Sequence, residues 1–142
     1  MSIGDVVKGQ CFCGEVQFDI ELPVFGVIYC HCNMCRQSNG SDYTTWVRVL
    51  SGNFNIIKGQ ESITELEITE KNSSYFCCEC SSTIYTADKD YTDSVGVLRG
   101  MIRGDVGQQP LKHFFYDNRV AWLDIQDGLP KFGGKSGFES LD

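Results

Sequence analysis

Alternation of apolar and polar positions predicts a mainly β protein. In residues 15–21, Val16, Phe18 and Ile20 share one face, which is typical of a strand buried on one side. The apolar segment at residues 24–30 predicts a second strand that leads into a group of cysteines. Further strands are predicted at residues 43–50, 54–59, 62–69, 74–80, 81–87 and 93–100.

Little else in the chain is periodic. A short helical turn is predicted at about residues 33–39, and Ser51-Gly52-Asn53 predicts a turn. The tail at residues 113–134 is rich in aromatic residues and contains Gly-Leu-Pro and Gly-Gly, so we expect it to pack across the sheets without regular structure. Because large aromatic side chains dominate protein cores, core positions are predicted for Trp46, Phe114, Phe115, Tyr116 and Trp122.

The composition is that of one soluble globular domain. The 142 residues are enough to bury a single core, and 42% hydrophobic and 22% charged residues are ordinary values. The formal net charge of -7 disfavours nucleic acid as a partner, because phosphate binding depends on clustered Lys and Arg. The chain starts without a signal-peptide pattern, and no stretch approaches the roughly 20 apolar residues of a membrane span. A cytoplasmic location is therefore expected.

The eight cysteines point to metal chemistry. Cytoplasmic proteins seldom keep disulfides, and their cysteine clusters more often bind metal or perform redox chemistry. Cys30, Cys32 and Cys35 place three thiols within six residues, and thiolate is a preferred ligand of Zn²⁺. Three ligands leave one tetrahedral position free, as in catalytic zinc sites, whereas structural sites take a fourth protein ligand.

The remaining cysteines can be sorted in more than one way. The simplest assignment is a closed zinc site formed by Cys11, Cys13, Cys77 and Cys80. Residues two apart on a strand face the same side, and C-x-x-C is the spacing of zinc knuckles. Cys78 either completes the middle group, which gives two closed sites and no catalysis, or packs as a small apolar residue. From spacing alone, the open and the closed middle site remain alternatives.

Two histidines and the residues after the middle cysteines each have two interpretations. His31 is a ligand or proton shuttle, or it is a packed side chain that points away from a metal held by the flanking cysteines. His113 is interpreted as structural, with support of a substrate pocket as the alternative. Arg36 and Gln37 either bind a substrate carboxylate or lie exposed on a loop. Solvated surface positions are predicted for Asp117, Asp124 and Asp127.

Four segments together resemble a known family. They are GQCFCGEV at residues 9–16, YCHCNMCRQSNGSDYTTWVRV at 29–49, YFCCECSSTIY at 75–85 and WLDIQDGLPKF at 122–132. Their order and separation resemble the glutathione-dependent formaldehyde-activating enzyme family, which also includes relatives of centromere protein V. The likeness spans about Gly9 to Phe132. It implies a single domain over residues 1–142 with a β-tent (Mss4-like) fold, in which zinc staples the β-sheets.

The resemblance also implies roles for the cysteines. A structural zinc is implied at Cys11, Cys13, Cys77 and Cys80, and a catalytic zinc at Cys30, Cys32 and Cys35, which gives two Zn²⁺ per chain. The implied activity is condensation of glutathione with formaldehyde to S-hydroxymethylglutathione, a carbon–sulfur lyase reaction. The chain departs from the family pattern at Ser81, where glycine usually follows the late C-x-x-C. A second departure is Cys78, a spare thiol between two implied ligands.

The implied partners are a small thiol such as glutathione and a small aldehyde, without nucleic acid or membrane. An open Zn²⁺ lowers the pKa of a bound thiol or polarises an aldehyde oxygen, and three thiolate ligands favour thiol chemistry over water activation. The alternative function is a non-enzymatic zinc module that binds a protein partner. A closed middle site with an exposed apolar patch would favour the module, whereas a pocket leading to an open zinc would favour the enzyme.

Overall fold

A computed structural model of the chain describes residues 4–142, which divide into two compact units. The first unit comprises Val47–Gln108 and the segment that ends at Gly26. The second unit comprises Val27–Trp46 and Gln109–Asp142. Among the described residues, no helix has the length and apolar character that crossing a membrane requires.

The chain is mainly β, which confirms the prediction from alternation. Within residues 4–142 the strands are β1 (Val6–Gln10), β2 (Gln17–Glu21), β3 (Gly26–Cys30), β4 (Thr44–Leu50), β5 (Phe54–Lys58), β6 (Ile63–Glu67), β7 (Asn72–Cys77), β8 (Thr83–Asp88), β9 (Tyr91–Leu98), β10 (Ile102–Arg103), β11 (His113–Phe114), β12 (Phe132–Gly133) and β13 (Glu139–Ser140). The same range contains one α-helix, α1 (Asn33–Asn39), at the predicted place. Short 3-10 turns occupy Ser51–Asn53, Gln60–Ser62, Arg99–Met101 and Tyr116–Asn118.

Antiparallel pairing organises the first unit. One sheet has the strand order β10-β1-β2-β5, and in it Val7 lies opposite Ile20 and Gly9 opposite Phe18. A second run of strands has the order β9-β8-β7-β6, and the end of β4 lies next to β9. β1 and β7 therefore end in the same unit, and each leads into one pair of cysteines.

Alternating side chains build the core of the first unit. Val16, Phe18 and Ile20 are completely buried, which confirms that they share the inner face. Val47 and Val49 of β4 are buried to the same extent. Removing such a side chain from water stabilises the fold by about 1.5–3 kcal/mol. The turns that carry the cysteines thus follow strands whose inner side chains are buried.

The second unit contains the strand that leads into the middle cysteines. β3 lies beside β11 in a parallel pair, with His113 opposite Tyr29 and Phe114 opposite Cys30. The start of β4 lies on the other side of β3, and the Thr44 hydroxyl donates to the backbone oxygen of Cys30 at 3.4 Å. β12 and β13 form a separate antiparallel pair. The end of β3 is therefore held by neighbours on both sides.

Several expectations from the sequence are wrong. The tail at residues 113–134 is not wholly irregular, because it contains β11 and β12. Strands of two residues leave no periodic pattern, so the sequence did not indicate them. Trp122 is 72% exposed rather than buried, in a segment without strand partners. The single domain over residues 1–142 stays a prediction, and its first three residues lie outside the described part.

Gly59 permits a close approach between two segments of the first unit. Its φ of +80° lies in the left-handed region that glycine favours. A Cβ at this position would collide with the backbone oxygen of Glu15 and lie 3.0 Å from the Cα of Val16. The turn at Gly59 thus packs directly on the backbone that follows the first cysteine pair.

We expect Gly59→Ala to lower the free energy of unfolding by about 2–4 kcal/mol, from left-handed strain and overpacking. Gly52→Ala is the matched control, since a Cβ there meets no atom within 4 Å. Denaturant unfolding of both variants measures the difference. Equal stabilities would contradict the close approach at Gly59.

Candidate functional site

Four cysteine sulfurs of the first unit converge. The sulfurs of Cys11, Cys13, Cys77 and Cys80 all lie within 4.8 Å of one another. The Cys13 sulfur lies 3.6 Å from that of Cys11 and 3.8 Å from that of Cys77. A tetrahedral zinc with Zn–S bonds of about 2.3 Å requires sulfur–sulfur separations of about 3.8 Å. The donor atoms and their spacing therefore fit such an ion.

Two tight turns bring these sulfurs together. After β1, the N–H of Cys11 donates to the oxygen of Val16 at 3.0 Å, and the N–H of Val16 donates to the Cys11 sulfur at 3.3 Å. At the end of β7, the N–H of Cys77 donates to the oxygen of Ser82 at 3.0 Å, and the N–H of Ser81 donates to the oxygen of Cys77 at 2.8 Å. Each turn directs its cysteines toward the other turn.

Ser81 adopts a backbone conformation that favours glycine. Its φ is +68°, in the left-handed region, and its N–H closes the C-x-x-C turn. Ser81 stands where the family that the sequence resembles usually has glycine. A side chain in this region costs roughly 1–2 kcal/mol. The departure thus keeps a left-handed turn and adds strain to it.

Three cysteine sulfurs of the second unit form another group. Those of Cys30, Cys32 and Cys35 lie within 4.8 Å of one another. Cys30 ends β3, and Cys32 is the N-cap of α1, where its sulfur accepts the N–H of Cys35 at 3.3 Å. Cys30 and Cys32 are buried, and Cys35 is half-buried. Within residues 4–142, no further His, Cys, Asp or Glu ligand atom belongs to this group.

Each group gathers negative charge on one thiol. Hydrogen bonds from Cys30 and Cys35 lower the pKa of Cys32 to about 3, because its thiolate is the shared acceptor. Hydrogen bonds with Cys32 and Cys35, followed by burial, raise the pKa of Cys30. At the first group, burial raises the pKa of Cys80, but the Ser82 hydroxyl and backbone N–H groups outweigh it and lower that pKa to about 6. A cation that displaces the remaining protons would be bound by all the sulfurs.

Cys78 lies outside both groups. It is exposed, whereas the adjacent Cys77 is completely buried. The N–H of Cys78 donates to the oxygen of Ser62 at 2.8 Å, which fixes its backbone. The two alternatives considered from the sequence, a fourth ligand of the middle group and a buried apolar residue, are therefore both wrong.

A hydrogen-bonded chain of polar side chains begins at His31, which lies between Cys30 and Cys32. Nε2 of His31 lies 2.9 Å from Nδ1 of His113, and Nε2 of His113 lies 2.7 Å from Oδ2 of Asp127. Both rings are fully buried, whereas 29% of the Asp127 side chain is exposed. The N–H of Leu129 donates to the second carboxylate oxygen at 3.0 Å, and Nζ of Lys131 lies 3.6 Å from it.

Tyrosines enclose the two imidazole rings. His31 stacks on Tyr43 with ring centroids 5.0 Å apart, and His113 stacks on Tyr29 at 4.8 Å. Tyr116 meets both imidazoles edge-on, at 5.2 Å and 5.3 Å. Tyr116 thus occupies its predicted core position.

This environment determines the charges of His31 and Asp127. Burial is the largest of the causes that together lower the pKa of His31 to about 4, so His31 is neutral at pH 7. Burial raises the pKa of Asp127, but hydrogen bonds from His113 and Leu129 and the charge of Lys131 outweigh it. The net pKa of Asp127 lies below its usual range, so the residue is a carboxylate at neutral pH.

The packed interpretation of His31 is confirmed, since its ring belongs to the hydrogen-bonded chain and not to the sulfur group. His113 is structural in the same sense. Asp127 is not simply a solvated surface residue, as the sequence suggested. The Asp-Gly pair at 127–128 predicts a local turn, and no sequence signal indicates a buried histidine 14 positions away as its partner.

A polar groove lies along α1. Its volume is about 280 Å³, and it is lined by Asn33, Arg36, Gln37, Gly40, Ser41 and Asp42. The guanidinium of Arg36 donates to the side-chain oxygen of Asn33 at 3.0 Å and to the backbone oxygen of Asn118 at 2.8 Å. Arg36 and Gln37 thus lie on a helix rather than on a loop, one turn or less from Cys35.

Comparisons with known proteins identify the family and the fold. The family described as "Glutathione-dependent formaldehyde-activating enzyme" matches residues 6–118. A Halomonas elongata protein named "Putative glutathione-dependent formaldehyde-activating enzyme" is 27% identical over 130 residues, covering 85% of this chain and 82% of that protein. A crystal structure of a Rhodobacter sphaeroides protein is similar with a TM-score of 0.60 and 21% identity, covering 72% of this chain and 97% of that one. The structural likeness shows a shared fold and confirms the predicted fold class.

We expect Ser81→Gly to raise the free energy of unfolding by roughly 1 kcal/mol, since glycine adopts the left-handed turn without strain. Ser81→Val should lower it, because a β-branched residue tolerates positive φ least. Thermal unfolding of both variants in the presence of excess zinc measures the order. A Gly variant less stable than the wild type would contradict the strain at this turn.

Proposed function

This chain belongs to the glutathione-dependent formaldehyde-activating enzyme family, and on that premise we propose that it joins a thiol such as glutathione to formaldehyde or a similar small aldehyde. The product is an S-hydroxymethyl thiol, and the enzyme class is a carbon–sulfur lyase. The observation that carries the proposal is the group of Cys30, Cys32 and Cys35, which offers three thiolates and, within residues 4–142, no fourth protein ligand.

Both cysteine groups are proposed to hold zinc. Cys11, Cys13, Cys77 and Cys80 would bind a structural ion, and Cys30, Cys32 and Cys35 a catalytic one. All eight cysteines are free thiols, the state that metal binding requires and that the cytoplasm maintains, so a cytoplasmic location is part of the proposal. A zinc ion held by Cys30, Cys32 and Cys35 would supply a Lewis acid that favours the thiolate form of a bound thiol and polarises a carbonyl oxygen.

The groove along α1 would bind the rest of the thiol substrate. Glutathione carries carboxylates and an ammonium group, and the groove offers the guanidinium of Arg36 and the carboxylate of Asp42. Because Arg36 and Gln37 directly follow Cys35 in α1, a thiol peptide bound in the groove would lie along the helix that carries this cysteine. In the reaction, sulfur bonds to the aldehyde carbon, the carbonyl electron pair moves to oxygen, and the thiol proton ends on that oxygen. The step needs no oxidant or reductant.

The same observation favours an enzyme over a protein-binding zinc module. A module of that kind is expected to have two closed sites, and Cys78, the candidate fourth ligand, is exposed and outside the group. The polar groove along α1 is also suited to a small polar substrate.

We expect the protein to accelerate adduct formation from glutathione and formaldehyde, measured by NMR exchange against the spontaneous reaction. Cys35→Ser should reduce the acceleration about 100-fold, because the metal accounts for several kcal/mol of the barrier. Cys78→Ser is the control and should keep full activity. Wild-type protein with two bound zincs and no acceleration would overturn the proposed function.

We expect Cys77→Ser to lose one zinc per chain and several kcal/mol of stability, because ligand convergence couples metal binding to folding. The neighbouring Cys78→Ser should keep both zincs and the wild-type Tm. Elemental analysis and thermal unfolding read out the two effects. Full zinc content in the Cys77 variant would contradict a structural site at this position.

A further inference from the structure

The protons of the chain formed by Asp127, His113 and His31 can be assigned from its donors and acceptors. An ionised carboxylate only accepts, so Nε2 of His113 carries the proton in the 2.7 Å contact to Asp127. In a neutral imidazole the other nitrogen is then an acceptor, so Nδ1 of His113 accepts from Nε2 of His31 at 2.9 Å. Nδ1 of His31 is consequently unprotonated.

An independent observation agrees with this assignment. Nδ1 of His31 is buried, and within residues 4–142 it has no hydrogen-bond partner. If the tautomers were reversed, this nitrogen would carry an unpaired, buried N–H, which is a rare state in proteins. The carboxylate at one end of the chain therefore selects the tautomer at the other end.

The hydrogen-bonded side chains also hold the backbone between Cys30 and Cys32. His31 lies between Cys30 and Cys32, and its N–H donates to the oxygen of Phe114 at 3.0 Å. His113 is held in turn, since its N–H donates to the oxygen of Pro130 at 3.0 Å. The backbone at Cys30–Cys32 is thus fixed by β11 through the main chain and by Asp127 through the side chains.

We propose that Asp127 is a positioning residue for the three-cysteine site: through His113 it sets the tautomer and orientation of His31 and so keeps the sulfurs of Cys30 and Cys32 directed at one metal ion. The inference rests on the proposed function only in taking these cysteines as the metal ligands. Outer partners that orient metal ligands typically contribute 10–100-fold to metal affinity. Asp127 acts through two rings, so an effect of about 10-fold is expected.

The test compares Asp127→Asn with Asp124→Asn in the full-length zinc protein. Asp124 is an exposed carboxylate three positions earlier in the same segment. An amide can donate as well as accept, and beside a triad histidine this exchange selects the wrong tautomer. Nitrogen-15 spectra of the imidazoles report the tautomers, and competition with a chromogenic chelator reports zinc affinity. Neither readout depends on activity.

The wild type should show Nε2 protonated and Nδ1 unprotonated in both rings. Asp127→Asn should populate the other tautomer and weaken the less tightly held zinc about 10-fold, while Asp124→Asn and the carboxylate-retaining Asp127→Glu should show the wild-type tautomers. Protonation of Nδ1 in the wild type would overturn the inference. So would a zinc affinity of Asp127→Asn equal to that of Asp124→Asn. If Asp127→Asn does not fold, the wild-type spectra and the zinc affinity of Asp127→Glu decide. Inactive wild-type protein with the expected tautomers and affinities would refute the proposed function alone.

Discussion

Sulfur atoms that must meet at one point impose the strongest constraint on this chain. Cys13 and Cys77 are 64 positions apart, yet their sulfurs lie 3.8 Å apart. Thiolates at that separation repel one another unless protons or a cation lie between them. The turns after β1 and β7 are therefore shaped to hold sulfurs, even at the cost of a left-handed serine at position 81. The core strands of the first unit carry these turns and fix their positions.

In the second unit three sulfurs converge instead of four, and all three come from one short segment. A strand ends at Cys30, and a helix begins after Cys32, whose sulfur caps it by accepting the N–H of Cys35. One short segment thus supplies three converging sulfurs from two kinds of secondary structure. The helix continues from the cysteines along a polar groove, and within residues 4–142 no fourth ligand atom joins the three sulfurs.

Buried polar side chains also support this segment. His31 and His113 are fully buried, and such groups stabilise a fold only when hydrogen-bonded partners compensate for the water they lose. Asp127 provides that compensation for His113, His113 provides it for Nε2 of His31, and tyrosines stack on both rings. This hydrogen-bonded pair is thus suited to holding a backbone in place, and the ring of His31 does not belong to the sulfur group.

The sequence by itself determined the local features of the protein. Alternation identified Val16, Phe18 and Ile20 as an inner face, and the spacing of Cys30, Cys32 and Cys35 grouped them, since six residues suffice to bring three thiols together. Only the tertiary structure decided that Cys78 lies outside both groups, that Trp122 is exposed, and that Asp127 binds His113. The physical reason is that periodicity reports which side of an element is buried. The distant segment that lies against that side depends on how the whole chain packs.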